Sequence, residues 1–265
     1  MSEHRTAPEP YGLIAIVGGG CYGSFYLRQL FRARAAGALT WDRVVVVDRR
    51  PDCPAAEMLA PSASLDAGAS LVVGDWTSYF REYLSVAAEG GTRNSDAIVP
   101  SPLMPHLMYE WVRGRAKERW PDREITTRPL PSPPPTPWER AAPDGVHYVS
   151  FATWMCPINC IEPATCPHTK GPRSWTMPAT IREYVAQEGI SGPALFHVTH
   201  RAYGVGMLNV ADVLAADRLV QETAAEKAAQ VLVGTVSHCH GALAILSIGD
   251  PVRFQSWRSF ATTTS

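Results

Sequence analysis

The stretch Leu13-Ile14-Ala15-Ile16-Val17-Gly18-Gly19-Gly20-Cys21-Tyr22-Gly23 decides the reading of the first half of the chain. Its first five residues are apolar without interruption, as in a strand covered on both faces. Gly18, Gly20 and Gly23 then satisfy G-x-G-x-x-G, and Ser24 to Phe31 has the apolar spacing of a helix. In this strand-turn-helix context each glycine has a task. Gly18 permits the tight turn, Gly20 lets backbone approach a pyrophosphate, and Gly23 lets helix and strand pack closely. The pyrophosphate would sit at the positive end of the helix dipole. Gly19, Cys21 and Tyr22 complete the candidate cofactor loop, with Cys21 readable either as a cofactor neighbour or as a small space-filling residue.

Working outward, Val44 to Asp48 is a second buried strand, and Asp48 lies 25 residues beyond Gly23. A carboxylate there accepts hydrogen bonds from ribose hydroxyls, which favours NAD, while Arg49 and Arg50 keep a 2'-phosphate, and hence NADP, open. Leu71 to Asp75 reads as a third strand and Asp96 to Pro100 as a fourth. Helices are expected over Thr77 to Ala87 and Met104 to Lys117. Continuous apolar strands separated by helices predict an α/β fold with a doubly wound, mostly parallel sheet.

The segments LIAIVGGGCYG, VVVVD and VVGD resemble the NAD(P)-binding Rossmann superfamily, most closely its TrkA-N-like and dehydrogenase-type members. The resemblance covers residues 11–120, under half of the chain, and concerns fold and cofactor rather than substrate. It implies that the loops after the third and fourth strands border the cofactor, which brings in Gly74, Asp75, Pro100 and Ser101. Another nucleotide such as S-adenosylmethionine, or no ligand, are the alternatives. His106 opens the helix after the fourth strand, at the edge where ligands of open α/β sheets bind, and is the candidate catalytic residue. A satisfied structural histidine is the competing reading.

Residues 121–145 form a proline-rich connector, with Pro129 to Pro137 expected in an extended polyproline-like path. Residues 146–265 are expected to complete the same domain, with strands at His147 to Phe151, Ala194 to Thr199 and Val231 to Val236. Helices are expected near Ala179 to Gln187 and over most of Val210 to Val233. Within this half, Trp154 to His168 holds three of the chain's six cysteines. Cys156, Cys160 and Cys166 follow C-x3-C-x5-C in a loop whose prolines exclude regular structure, so the thiols can converge on a soft metal. Proline after Cys156 and Cys166 fits iron-sulfur ligation, and zinc is the alternative. His168, or His238, Cys239 and His240, would supply further ligands. In an extended strand His238 and His240 would face one side and Cys239 the other. Reduced cysteines that merely cluster, or a metal-free redox dithiol, compete with the metal reading.

With 24 Lys and Arg against 25 Asp and Glu, the net charge is -1, which gives no electrostatic footprint for nucleic acid or an anionic membrane. The chain contains no apolar run of membrane-spanning length, and Met1 to Gly12 has no basic-then-apolar leader, so a cytoplasmic protein is expected. Motifs of nucleophile-elbow hydrolases, P-loop NTPases and HExxH metalloproteases are absent from the sequence. Two readings follow. One is an NAD(P)-linked oxidoreductase of a small molecule with a cysteine-ligated metal or iron-sulfur centre. The other is a non-catalytic module that senses nucleotide and metal or redox state. Either is compatible with a homo-oligomer.

Overall fold

A computed structural model describes residues 9–60, 68–91, 95–157 and 160–251, so residues 158 and 159 of the cysteine segment lie outside the described set. The quoted stretch forms β1 (Glu9–Val17) and runs into α1 (Cys21–Ala35). β2 (Leu39–Asp48), α2 (Pro54–Leu59), β3 (Ala69–Val73), α3 (Trp76–Val86), β4 (Ala97–Val99) and α4 (Leu107–Arg119) follow. β1 to β4 are parallel, in the order β3-β2-β1-β4. The strands are apolar at nearly every position because both faces are covered. Ile14 and Ile16 pack against Leu27 and Leu30 of α1, and Ala15 and Val17 point into the core that holds Phe80 and Leu84 of α3.

The second half departs from a simple continuation of that sheet. β5 (Ile125–Arg128), β6 (Trp138–Ala141), β7 (His147–Ser150), β8 (Pro193–His197), β11 (Ala229–Val236) and β12 (His240–Ile248) build a second sheet. It is mostly antiparallel, with β8 parallel to β11. α5 (Met177–Gln187) lies on its outer face, where Met177 and Ile181 meet Leu232 and Leu243. The short strands β9 (Thr199–Ala202) and β10 (Val205–Asn209) extend the first sheet, with β10 antiparallel to β4. Completion of the first sheet therefore comes from 199–209, whereas the expected strands near 194–199 and 231–236 belong to the second. The chain passes between the sheets at Val198, whose N–H donates to the Val236 carbonyl at 2.8 Å.

α3, α4 and α6 (Val210–Ala224) share one core with both sheets: Val17 and Ile98 from the first, Phe196, Val231 and Leu246 from the second. The protein is mixed α/β. The helix expected up to Val233 ends at Ala224, because Val231 and Val233 are drawn into the sheet between β8 and β12. The connector assigned to 121–145 contains β5 and β6, and its longest piece without helix or strand is 129–137. That piece is not free. Leu130 is buried and Tyr184 of α5 donates its hydroxyl to the Ser132 carbonyl at 2.8 Å. Among the described residues, no helix is long and apolar enough to cross a membrane.

Candidate functional site

Two groups of chemistry-bearing residues emerge, one on the glycine turn and one where the cysteine loop meets the β11–β12 hairpin. At the glycine turn, Gly18 has φ +81° and its N–H donates to the Val47 carbonyl at 2.9 Å. A Cβ on Gly23 would overlap the Gly18 carbonyl oxygen, whereas one on Gly20 would meet open space. Gly20 is the N-cap of α1, and among the described residues no side chain caps the first N–H groups of the helix. Gly19 has a different constraint. Its Cβ would collide with the thiol of Cys53, which is 2% exposed, so Cys53 is a packing partner of the turn.

Asp48 stands at the end of β2, as the spacing predicts. One carboxylate oxygen accepts the Gly19 N–H at 2.6 Å and the other the Arg50 N–H at 2.8 Å. It therefore holds the turn's shape while keeping lone pairs at the strand edge. Arg49 pairs with Asp75 and stacks 5.0 Å over Trp76, and Arg50 pairs with Asp52. Asp75 also caps α3 through the Ser78 N–H, and the Arg49 guanidinium holds its carboxyl below the usual carboxylate range. Trp76 donates its indole N–H to the Val47 carbonyl at 2.6 Å. Gly74 donates to the Asp48 carbonyl at 2.8 Å, which ties the third loop to the second. Cys21 is exposed at the first turn of α1, and Tyr22 beside it is half-buried. Ser101 organises the turn after β4 by accepting the Met104 N–H, while Pro100 walls a cavity of about 10 Å³ with Val17, Met104, Leu208 and Thr235.

His106 is the N-cap of α4 rather than its first residue. Its ring lies 5.9 Å from those of Tyr109 and Tyr148, and both ring nitrogens are buried without a partner among the described residues. Burial pushes its pKa down to about 4, so the imidazole is neutral near pH 7.

The second group is organised by Glu162, which the sequence reading did not single out. Its backbone adopts φ +48°. One carboxylate oxygen accepts from the Ser237 hydroxyl at 2.7 Å and the Cys239 N–H at 3.1 Å. The other accepts the His238 N–H at 3.0 Å and faces His200 Nδ1 at 3.4 Å. Burial opposes its charge, but the His200 ring, the Ser237 hydroxyl and the His238 N–H outweigh it and hold the carboxyl at about 2. The sequence carried one signal for it: Glu162 is the sole acidic residue between Asp144 and Glu183, set among prolines and cysteines. The Arg173 guanidinium donates to the Glu162 carbonyl and ties the far side of the loop to the same point.

This latch lays the cysteine loop on the hairpin turn. Residues 237–239 are a turn and not an extended strand, with the Ser237 N–H donating to the His240 carbonyl at 2.8 Å, so the alternation expected for His238, Cys239 and His240 does not hold. Cys156 lies within electrostatic range of Cys160, Cys166 and Cys239. Burial raises the Cys156 thiol, with Cys160 adding to it, and pushes Cys239 up to about 11. Trp175 donates its indole N–H to the Cys239 sulfur at 3.4 Å. Cys166 goes the other way: the N–H groups of Thr169 and His168 are directed at its sulfur and hold its pKa below the usual thiol value. Of the other ligand candidates, His168 stacks on Trp154 at 4.3 Å and His240 Nδ1 pairs with the Ser150 hydroxyl at 3.0 Å. Among the described residues, no three His, Cys, Asp or Glu side chains form a set that could hold a metal ion.

Fold and site together define a mixed α/β protein with a glycine turn on one sheet and a thiol group on the other. Residues 108–249 match the family AF_1314_C, described as an uncharacterized protein, C-terminal domain, and the chain belongs to this family. The matched span contains the cysteine loop and the hairpin turn and leaves the glycine turn outside. No curated protein and no solved structure matches the chain.

Proposed function

We propose that the protein is an NAD(P)-linked oxidoreductase of a small molecule, with an iron-sulfur cluster held by its second half in a reducing cytoplasm. The observation that carries the reading is that Cys160, Cys166 and Cys239 lie within electrostatic range of Cys156, although Cys239 stands some 80 residues away in sequence. Tetrahedral zinc, with Zn–S bonds of about 2.3 Å, would draw its sulfurs to within roughly 4 Å of one another. The described thiols form no such set. What supports iron-sulfur over zinc as the group these cysteines would hold is the proline that follows Cys156 and Cys166. The donor chemistry fits as well: N–H groups point at the sulfurs of Cys166 and Cys239, the hydrogen bonding that tunes thiolate ligands.

For the nucleotide, the β3-β2-β1-β4 parallel order with helices on both faces supports a doubly wound, Rossmann-like reading of the first sheet. Gly20 leaves the backbone open to a pyrophosphate and α1 offers uncapped N–H groups to it. Asp48 supports NAD over NADP, since Arg49 and Arg50 are engaged by Asp75 and Asp52. A bound nicotinamide would supply hydride chemistry and a cluster one-electron transfer. The chain's own part is to hold the pyrophosphate, orient the ribose through Asp48, and keep His106 neutral as a proton acceptor near the sheet edge.

Anaerobic purification with visible spectroscopy, iron and sulfide analysis, and NADH and NADPH titration tests the reading. A brown protein with stoichiometric iron and sulfide that binds NADH is expected. A colourless, iron-free protein that binds neither nucleotide overturns it. The cavity of about 10 Å³ at the ends of β1 and β4 has room for roughly one water, which favours a second reading as a sensor without turnover. NADH binding without hydride transfer to any artificial acceptor would select that one.

A further inference from the structure

The inner face of the second sheet carries a groove of about 500 Å³, a volume suited to a small ligand. On this face Ala244 and Leu246 of β12 are covered by the helix layer that includes α4, and the groove opens where that cover stops. Strand register sets its walls. Trp138, Ser150 and His240 form one cross-strand row, and Arg140, Tyr148 and Ala242 the next. Trp138 and Tyr148 thus share the groove with Arg140, and the Ser150–His240 pair closes one end. Ser150 is 5% exposed, and its hydroxyl is fixed by the Ala152 backbone on one side and His240 Nδ1 on the other. Arg140 is the one permanently charged residue lining the groove, and the described residues give it no ion-pair partner.

We propose that this groove is a binding site for a small planar anion, an aromatic or conjugated carboxylate or phosphate. The aromatic walls accept a flat π-system by stacking. The Arg140 fork matches two oxygens of a carboxylate or phosphate, and the Ser150–His240 pair offers an oriented hydrogen-bonding edge. The lining contains no carboxylate to repel the ligand. Tyr148 also touches the His106 ring, so a ligand in the groove lies one aromatic ring from a histidine whose two ring nitrogens are buried without a partner among the described residues. The site stands independently of the cofactor reading, because none of its recognition groups is a thiol or part of the glycine turn.

The test titrates the full-length protein, as purified, with benzoate, indole-3-carboxylate and phenyl phosphate, following tryptophan fluorescence and calorimetry. Benzamide serves as the neutral isostere and cyclohexanecarboxylate as the non-planar anion. Saturable binding of at least one planar anion is expected below about 10 mM. Benzamide and cyclohexanecarboxylate should bind it at least tenfold more weakly. Arg140→Gln should lower affinity tenfold or more, and Trp138→Leu severalfold, each with an unchanged circular dichroism spectrum, since both side chains are exposed. Binding that is equal for benzoate and benzamide, or retained in Arg140→Gln, overturns the proposal, as does no saturation by any of the three planar anions. None of these outcomes depends on whether iron or NADH is bound.

Discussion

Gly23 has no tolerance for a side chain, because the Gly18 carbonyl occupies the place of its Cβ. Gly23→Ala should therefore destabilise the fold by about 3 kcal/mol or more, read by urea denaturation. Gly20→Ala should leave stability within about 1 kcal/mol, and on the proposed reading it should weaken NADH binding at least tenfold. Equal destabilisation by the two would show that the turn is under a different constraint. His106 makes a second prediction. An unfolded histidine titrates near 6.5 and the folded one at about 4, lowered by burial, so the unfolded chain takes up the proton first. Stability should fall as pH drops from about 6.5 towards 4, by up to about 3 kcal/mol, and then level off. His197 and His240 are lowered by burial too and act in the same direction. His106→Phe should thus flatten the slope without abolishing it, and an unchanged slope would remove His106 from the account. The glycine spacing and the place of Asp48 were legible in the sequence because both are local. Glu162 was not, because its partners Ser237, His238 and Cys239 lie some 75 residues away.

At the scale of elements, the long loop between β7 and α5 is held on the hairpin turn by a set of hydrogen bonds. Glu162 supplies three of the hydrogen bonds, and Arg173 and the short bridge between Thr165 and Pro172 stiffen the loop from within. Glu162→Gln keeps shape but loses the charge that three donors and His200 address, at a cost of about 1–3 kcal/mol. Limited proteolysis should then cut within residues 151–176 several times faster than in the parent, while cleavage elsewhere is unchanged. Uniform acceleration would mean that the carboxylate supports the whole fold rather than the loop. The strands of the first half were located by their continuous apolar runs, but β1 and β2 begin at Glu9 and Leu39, ahead of the Leu13 and Val44 at which those runs start, because their first residues are mixed polar and apolar. The helix expected to Val233 was overextended because the Ala- and Glu-rich run to Ala224 gives way to Val231 and Val233 without a proline or glycine to mark the break. β5 and β6 were hidden in the connector since four-residue strands carry too little periodicity to be seen.

For the whole molecule, the decisive feature is the shared core. α4 and α6 lie between the two sheets, so neither sheet has a complete hydrophobic cover without the other. Unfolding should be a single transition, with tryptophan fluorescence and far-ultraviolet circular dichroism coincident in urea, and a fragment ending near residue 120 should not fold. Two resolved transitions would assign each sheet its own stability. The sequence alone determined the parallel start of the first sheet, the glycine turn, Asp48 at its edge and three cysteines in one loop, because short-range spacing and continuous burial leave their mark locally. Only the tertiary structure decided that 194–197 and 229–236 build a second sheet, that β9 and β10 return to the first, and that Glu162 meets the hairpin turn at Ser237, His238 and Cys239. Those outcomes depend on which distant surfaces meet. An apolar strand fits either sheet equally well until the helices that cover it are in place.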